Sequence, residues 1–252
     1  MKAWRTALAC AALVAGCGDG GLAEERRGDL VYARGGEGPG RVTVIRPAKA
    51  DAPLPLVLFL HGWGATEPRI YGPWLEHLAR GGNAVVYPRY QDSVAEPPTQ
   101  VLGNVLVGVR TALTGVDADL DSLVVAGHSA GGALAADYAA IAGGVGLPEA
   151  RAVLSMYPGR SFRGVRVGIP AVDPGRIPEG TDLLVLSGAD DAVVDPRDAR
   201  WIYAGADAVA RRRLVVVRRR GASDHLGPQR ATRVSREAFW ARLDALIAAA
   251  RR

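Results

Sequence analysis

Residues 123–142 read LVVAGHSAGGALAADYAAIA. The stretch opens on an apolar run, Leu123-Val124-Val125-Ala126, of the length and composition of a strand buried on both faces. It closes on small residues at 130–142, a helix pattern ended by Gly143-Gly144. Between them stands Gly127-His128-Ser129-Ala130-Gly131, the pattern G-x-S-x-G. A chain that passes from strand to helix in so few residues strains the backbone at the apex. Side chains two positions to either side would collide there. Ser129 occupies the apex, so its hydroxyl is lifted to the top of the sheet, and the N-terminus of the following helix is aimed at negative charge developing there. Ser129 is the candidate nucleophile.

On either side of this stretch, apolar runs alternate with amphipathic stretches. Strands are expected at 42–46, 54–60, 84–87, 123–126, 152–156, 182–187 and 214–217. Helices are expected at 71–80, 100–113, 130–142 and 234–250. Alternation of this kind predicts an α/β fold: a mainly parallel central sheet with helices on both faces. The Gly-, Pro- and Arg-rich segment 157–180 is too short for a separate lid domain, so a shallow, open site is expected.

A serine hydroxyl needs a base, and the base needs an orienting acid. Of the four histidines, His128 adjoins Ser129 and should point away from its Oγ, His61 directly follows the 54–60 strand, and His77 sits in a helix pattern. His225, in the loop after the 214–217 strand, is the one histidine C-terminal to Ser129 and the candidate base. The loop after the 182–187 strand offers three acids, Asp190, Asp191 and Asp195. A tetrahedral intermediate further needs two preorganised N–H donors. One would be the backbone N–H of Ala130. The other would be that of Trp63, flanked by glycines in His61-Gly62-Trp63-Gly64, with the Trp63 ring as an apolar wall. Tyr90 and Tyr157, just past strand ends, are expected either to line the substrate pocket or to serve as packing. Nothing calls for a metal or an organic cofactor.

Taken together these residues resemble the α/β-hydrolase superfamily over roughly residues 40–250. The order Ser129, Asp191, His225 is that superfamily's order, and the resemblance selects Asp191 as the acid. The spacing and the missing lid look closest to dienelactone-hydrolase-like and chlorophyllase- or cutinase-like members. A serine stands where dienelactone hydrolase has cysteine, and the HGGG loop of hormone-sensitive-lipase-like esterases is absent. The resemblance implies a serine hydrolase of carboxylic esters acting on small-molecule, lipidic or polymeric substrates through an acyl-enzyme. A peptidase or amidase on the same triad, and a non-catalytic surface lipoprotein that binds through this fold, are the competing readings.

The amino terminus reads as an address. Lys2 and Arg5 precede a short apolar segment, too short to span a bilayer. Val14-Ala15-Gly16-Cys17 resembles a bacterial lipobox. Residues 1–16 are accordingly expected to be a signal peptide, 17–39 a lipidated Cys17 with a flexible tether, and 40–252 the hydrolase domain. The chain would be exported and held on the cell envelope by its lipid. Gly18 after Cys17 favours the outer membrane by the same resemblance. Cys10 and Cys17 are the two cysteines, so neither a disulfide nor a cysteine nucleophile is expected in the folded domain.

The composition, 48% hydrophobic and 23% charged over 252 residues, excludes extensive disorder. Loss of Lys2 and Arg5 would lower the formal charge from +5 to +3. The basic residues are dispersed, which with export argues against a nucleic-acid partner. The triplets Arg211–213 and Arg218–220 read as solvated ends of a buried strand, or as a patch for anionic lipid.

Overall fold

The computed structural model describes residues 21–50, 53–161 and 168–252. Nine strands form one sheet: β1 (Ala23–Arg27), β2 (Leu30–Gly35), β3 (Val42–Pro47), β4 (Leu54–Leu60), β5 (Ala84–Pro88), β6 (Ala118–His128), β7 (Ala152–Met156), β8 (Asp182–Gly188) and β9 (Arg211–Val217). Their spatial order is β1-β2-β3-β5-β4-β6-β7-β8-β9. The pairs β1–β2, β2–β3 and β3–β5 are antiparallel; from β5 through β4 to β9 every pair is parallel.

Successive residues of the central strands enter different cores, as the two-residue period of a strand dictates. In β4, Leu56, Leu58 and Leu60 face one core, whereas Val57 and Phe59 face the other. The first core is closed by α2 (Val101–Leu113), α3 (Ala130–Ile141) and α4 (Arg197–Gly205), through Val101, Val105, Leu134 and Ile202. The second is closed by α1 (Gly72–Arg80) and the C-terminal helices, through Trp74, Leu75, Leu243 and Ile247. Those helices are α5 (Arg233–Ser235), a π-helical turn (Arg236–Trp240) and α6 (Ala241–Ala250). Both faces are covered, so the apolar runs of β4–β8 need no polar side. Among the described residues no helix is long and apolar enough to cross a membrane.

The fold corrects the sequence reading in three places. Within the tether expected over 17–39, β1 and β2 form a hairpin, and Leu30, Val31, Tyr32 and Ala33 are buried. A two-residue turn joins them, with Gly28 at φ 63°. β1, Ala-Glu-Glu-Arg-Arg, is exposed at every position because it is the outermost strand, so no apolar alternation marks it. At the opposite edge, β9 is longer and more exposed than the buried strand expected at 214–217. Only Val217 is buried, because β9 has a neighbour on one side alone. Helix α4 was not anticipated; it buries only Ala199 and Ile202. The expected signal peptide 1–16 and the lipidation site Cys17 lie outside the described residues.

Candidate active site

The elbow is built as the glycine argument requires. Ser129 follows the last residue of β6 with φ 59° and ψ −121°. A Cβ on Gly127 would strike the carbonyl of Gly131, and one on Gly131 would strike those of Leu60 and His61. The N–H of Gly131 instead donates to the His61 carbonyl at 3.0 Å, which fastens the elbow to the end of β4. Ser129 is held on its other side by β7, its N–H donating to Met156 O at 2.9 Å.

The structure brings Ser129, His225 and Asp191 together from three strand ends. His225 Nε2 lies 3.0 Å from Ser129 Oγ, and His225 Nδ1 lies 2.7 Å from Asp191 Oδ2. With Nδ1–H donating to the carboxylate, Nε2 is left to accept the serine proton. The other oxygen of Asp191 accepts from the N–H groups of Val193 (2.8 Å) and Val194 (3.1 Å). Burial pushes the Asp191 carboxyl up. The hydrogen bonds from His225, Val194 and Val193 outweigh it, and the net shift is downward, so the group stays ionised. The two rival acids are engaged elsewhere. Asp190 accepts from Ser223 Oγ at 2.5 Å, and Asp195 from the Arg197 N–H and guanidinium, both at 2.9 Å.

The Gly62-Trp63-Gly64 loop faces this group. Gly62 N–H donates to Tyr71 Oη at 3.0 Å and Gly64 N–H to Gln91 Oε1 at 3.0 Å, which pins the backbone on both sides of Trp63. Ala130, at the first turn of α3, has an N–H with no acceptor among the described residues. The Trp63 ring is half-buried, and its Nε1–H donates to Val94 O at 3.1 Å. Ser129 is 2% exposed and His225 8%, so the site expected to be open shows little of its reactive atoms.

Tyr90 and Tyr157 do not line an open pocket: they are 0% and 1% exposed. Both have positive φ, 40° and 49°. The Tyr90 ring stacks on His61 with centroids 4.0 Å apart and its hydroxyl donates to His61 O at 2.5 Å. The Tyr157 hydroxyl donates to Ala222 O at 2.6 Å, beneath the loop that carries His225. Both hydroxyls thus hold neighbouring loops, as the packing alternative has it.

Sequence reasoning missed Tyr71. Its oxygen accepts from Gly62 N–H and donates to His128 Nδ1 at 2.8 Å, and His128 Nε2–H donates to the carbonyl of His225 at 2.8 Å. Burial drives the pKa of His128 down to about 3, in keeping with a neutral ring. His61 is likewise buried, and its pKa falls to about 4. His77 pairs with Asp244 at 3.0 Å on the surface, away from the triad. Among the described residues no cluster of three or more His, Cys, Asp or Glu could hold a metal ion.

Residues 57–205 match the family of proteins with the alpha/beta hydrolase fold. A protein of Klebsiella pneumoniae assigned as a dienelactone hydrolase superimposes with a TM-score of 0.65 at 20% identity, covering 87% of this chain and 98% of its own. An esterase of Rhizomucor miehei gives 0.65 at 18% identity, covering 91% and 85%. Esterase B of Lactobacillus rhamnosis gives 0.63 at 18%, covering 89% and 88%. No curated protein matches the chain in sequence. The matched segment takes in the Gly62-Trp63-Gly64 loop, the elbow and the Asp191 loop: the chain belongs to the α/β-hydrolase fold family.

Proposed function

We propose that the protein hydrolyses carboxylic esters, with Ser129 as nucleophile, His225 as general base and acid, and Asp191 as the residue that orients His225. The observation that carries this reading is the hydrogen-bonded chain Ser129–His225–Asp191 set on the strained elbow. Ser129 Oγ attacks the ester carbonyl carbon while its proton passes to His225 Nε2. The oxyanion is met by the N–H groups of Ala130 and Trp63. The imidazolium returns the proton to the leaving alkoxide, and water, deprotonated by the same imidazole, releases the acid.

Exposed apolar side chains stand at the loop tips beside the triad. Val94 touches the Trp63 loop, Val193 is two residues past Asp191, and Leu226 follows His225. Such a rim favours esters with apolar acyl or alcohol groups of small or medium size. The esterases among the structural neighbours agree with this choice of bond.

The test is a fluorophosphonate probe read by mass spectrometry, alongside turnover of short and medium p-nitrophenyl esters. Labelling of Ser129 that disappears in His225→Ala, with ester turnover, is expected. Folded protein that neither labels nor turns over esters would overturn the reading. The lipobox-like Val14–Cys17 further supports acylation at Cys17 and anchoring to the envelope. The mass of the mature N-terminal peptide tests it: an unmodified Cys17 would refute the anchor.

A further inference from the structure

A groove of about 850 Å³ runs between the β2–β3 part of the sheet and α1, and none of the triad residues lines it. Its wall holds seven arginines against two glutamates. Some of this charge is answered locally. Arg27 and Arg34 share Glu25, and Arg80 binds Asp29 and Glu76. Arg89 pairs with Asp92 at 3.7 Å and donates to its carbonyl at 3.2 Å. Arg41, Arg69 and Arg236 have no carboxylate within 4 Å among the described residues. The Nε of Arg89 is buried with no hydrogen-bond partner among the described residues.

The cations are also held in place before any ligand arrives. The Arg236 guanidinium stacks over Trp240 at 4.7 Å and that of Arg27 over Tyr32 at 4.8 Å. The N–H of Arg89 donates to the carbonyl of Arg41 at 2.7 Å, which keeps these two residues side by side at the groove's upper end. Elsewhere in the protein a single guanidinium suffices for a carboxylate: Arg160 grips both oxygens of the buried Asp137. Several unanswered guanidiniums along one groove suit a ligand with more than one negative charge and several acceptor oxygens, which is the chemistry of phosphate.

We propose that this groove binds a phosphate-bearing ligand. The site is independent of the ester chemistry, so its test reads binding alone. The full chain carrying Cys17→Ser, which removes the candidate lipidation site, is titrated with pyrophosphate by calorimetry. It is also sedimented with vesicles of phosphatidylcholine, with and without phosphatidylglycerol. The groove variant is Arg41→Gln/Arg69→Gln, and the control of equal charge is Arg200→Gln/Arg213→Gln on α4 and β9; all four side chains are exposed, so folding is not at risk. Saturable binding is expected, weakened about tenfold or more in the groove variant and less than roughly twofold in the control. Binding of pyrophosphate without preference for anionic vesicles assigns a soluble phosphate. Binding of anionic vesicles alone assigns a lipid headgroup. Binding of neither, or equal loss in both variants, would overturn the proposal.

Discussion

Replacing Tyr71 by Phe isolates one oxygen atom. That atom is the middle of a buried chain from Gly62 N–H through Tyr71 Oη and the His128 ring to the backbone carbonyl of His225. The chain passes beside Ser129 and ties the loop that presents Trp63 to the loop that presents His225. Phenylalanine keeps the ring and its contact with Phe59, whose centroid lies 5.0 Å away. What is lost is one acceptor and one donor, leaving the Gly62 N–H and His128 Nδ1 buried and unpaired. Such groups cost about 1–3 kcal/mol each, so a loss of roughly 2–6 kcal/mol in stability is expected. In a domain of this size each kcal/mol moves the melting temperature by about 2–4 °C, so it should fall by about 4–24 °C. Ester turnover should lose roughly tenfold in kcat with KM little changed, because a loosened Trp63 amide stabilises the transition state less while substrate binding is untouched. Urea unfolding followed by tryptophan fluorescence, and steady-state kinetics on a short p-nitrophenyl ester, read both effects. A stability change under about 0.5 kcal/mol together with unchanged kcat would refute the idea that this chain registers the two loops.

Three further outcomes are expected. His61 and His128 titrate near 4 and near 3 in the folded protein. Unfolded histidine titrates near 6.5, so the folded state binds fewer protons below that pH, and stability should fall by up to roughly 3 kcal/mol per unit as pH drops from about 6.5 towards 4; a urea midpoint that stays flat over this window would contradict the buried neutral rings. Asp191→Asn should lower kcat by roughly 10³–10⁴ through loss of the correct His225 tautomer, whereas Asp190→Ala, which frees only Ser223, should cost far less; comparable losses in the two variants would put the acid in the wrong place. Arg160→Met strands the buried charge of Asp137, whose carboxyl burial already pushes up, and should cost about 3–5 kcal/mol. Asp137→Leu/Arg160→Met should recover much of that in urea unfolding, and a double variant no better than the single one would show that the pair's other bonds, to Pro170 O and Val172 N–H, matter more.

What could be read in advance was whatever burial writes into composition. The strands expected at 54–60 and 152–156 coincide with β4 and β7, because a strand covered on both faces has no polar position to blur it. The elbow was legible for a related reason: glycine is the only residue that fits where Gly127 and Gly131 meet neighbouring carbonyls. Ser129 and His225 could be singled out because the elbow pattern marks the one and histidines are few, whereas Asp190, Asp191 and Asp195 share one loop and only the family resemblance separated them. The edges of the sheet were not legible. β1 and most of β9 are held by backbone pairing on one side, and their side chains remain in water, so Glu24–Arg27 and Arg211–Arg213 look like any charged surface. Nor was Tyr71, which lies 57 residues from the histidine it contacts.

Backbone strain at Ser129 was legible in the elbow pattern, but the same strain at Tyr90 and Tyr157 was not. Among the described residues, three that are not glycine have positive φ: Tyr90, Ser129 and Tyr157. Each lies within two residues of the carboxyl end of a central strand, β5, β6 and β7 respectively. An L-residue in that region costs on the order of 1–3 kcal/mol and persists only where surrounding contacts hold it. Here those contacts converge on the site. Tyr90 is held by stacking and a hydrogen bond to His61, Ser129 by Met156 and Gly159, and Tyr157 by Leu186 and Ala222. A glycine at 90 or 157 would relieve the strain but would remove the hydroxyl that fixes the oxyanion-side loop or the His225 loop. Tyrosine therefore stands at two turns where turn chemistry alone would choose glycine, and a position just past a strand end fits pocket lining and packing equally in the sequence. Their fully buried rings serve to aim the loops on either side of Ser129, and the strain sits at the same end of the sheet as the chemistry.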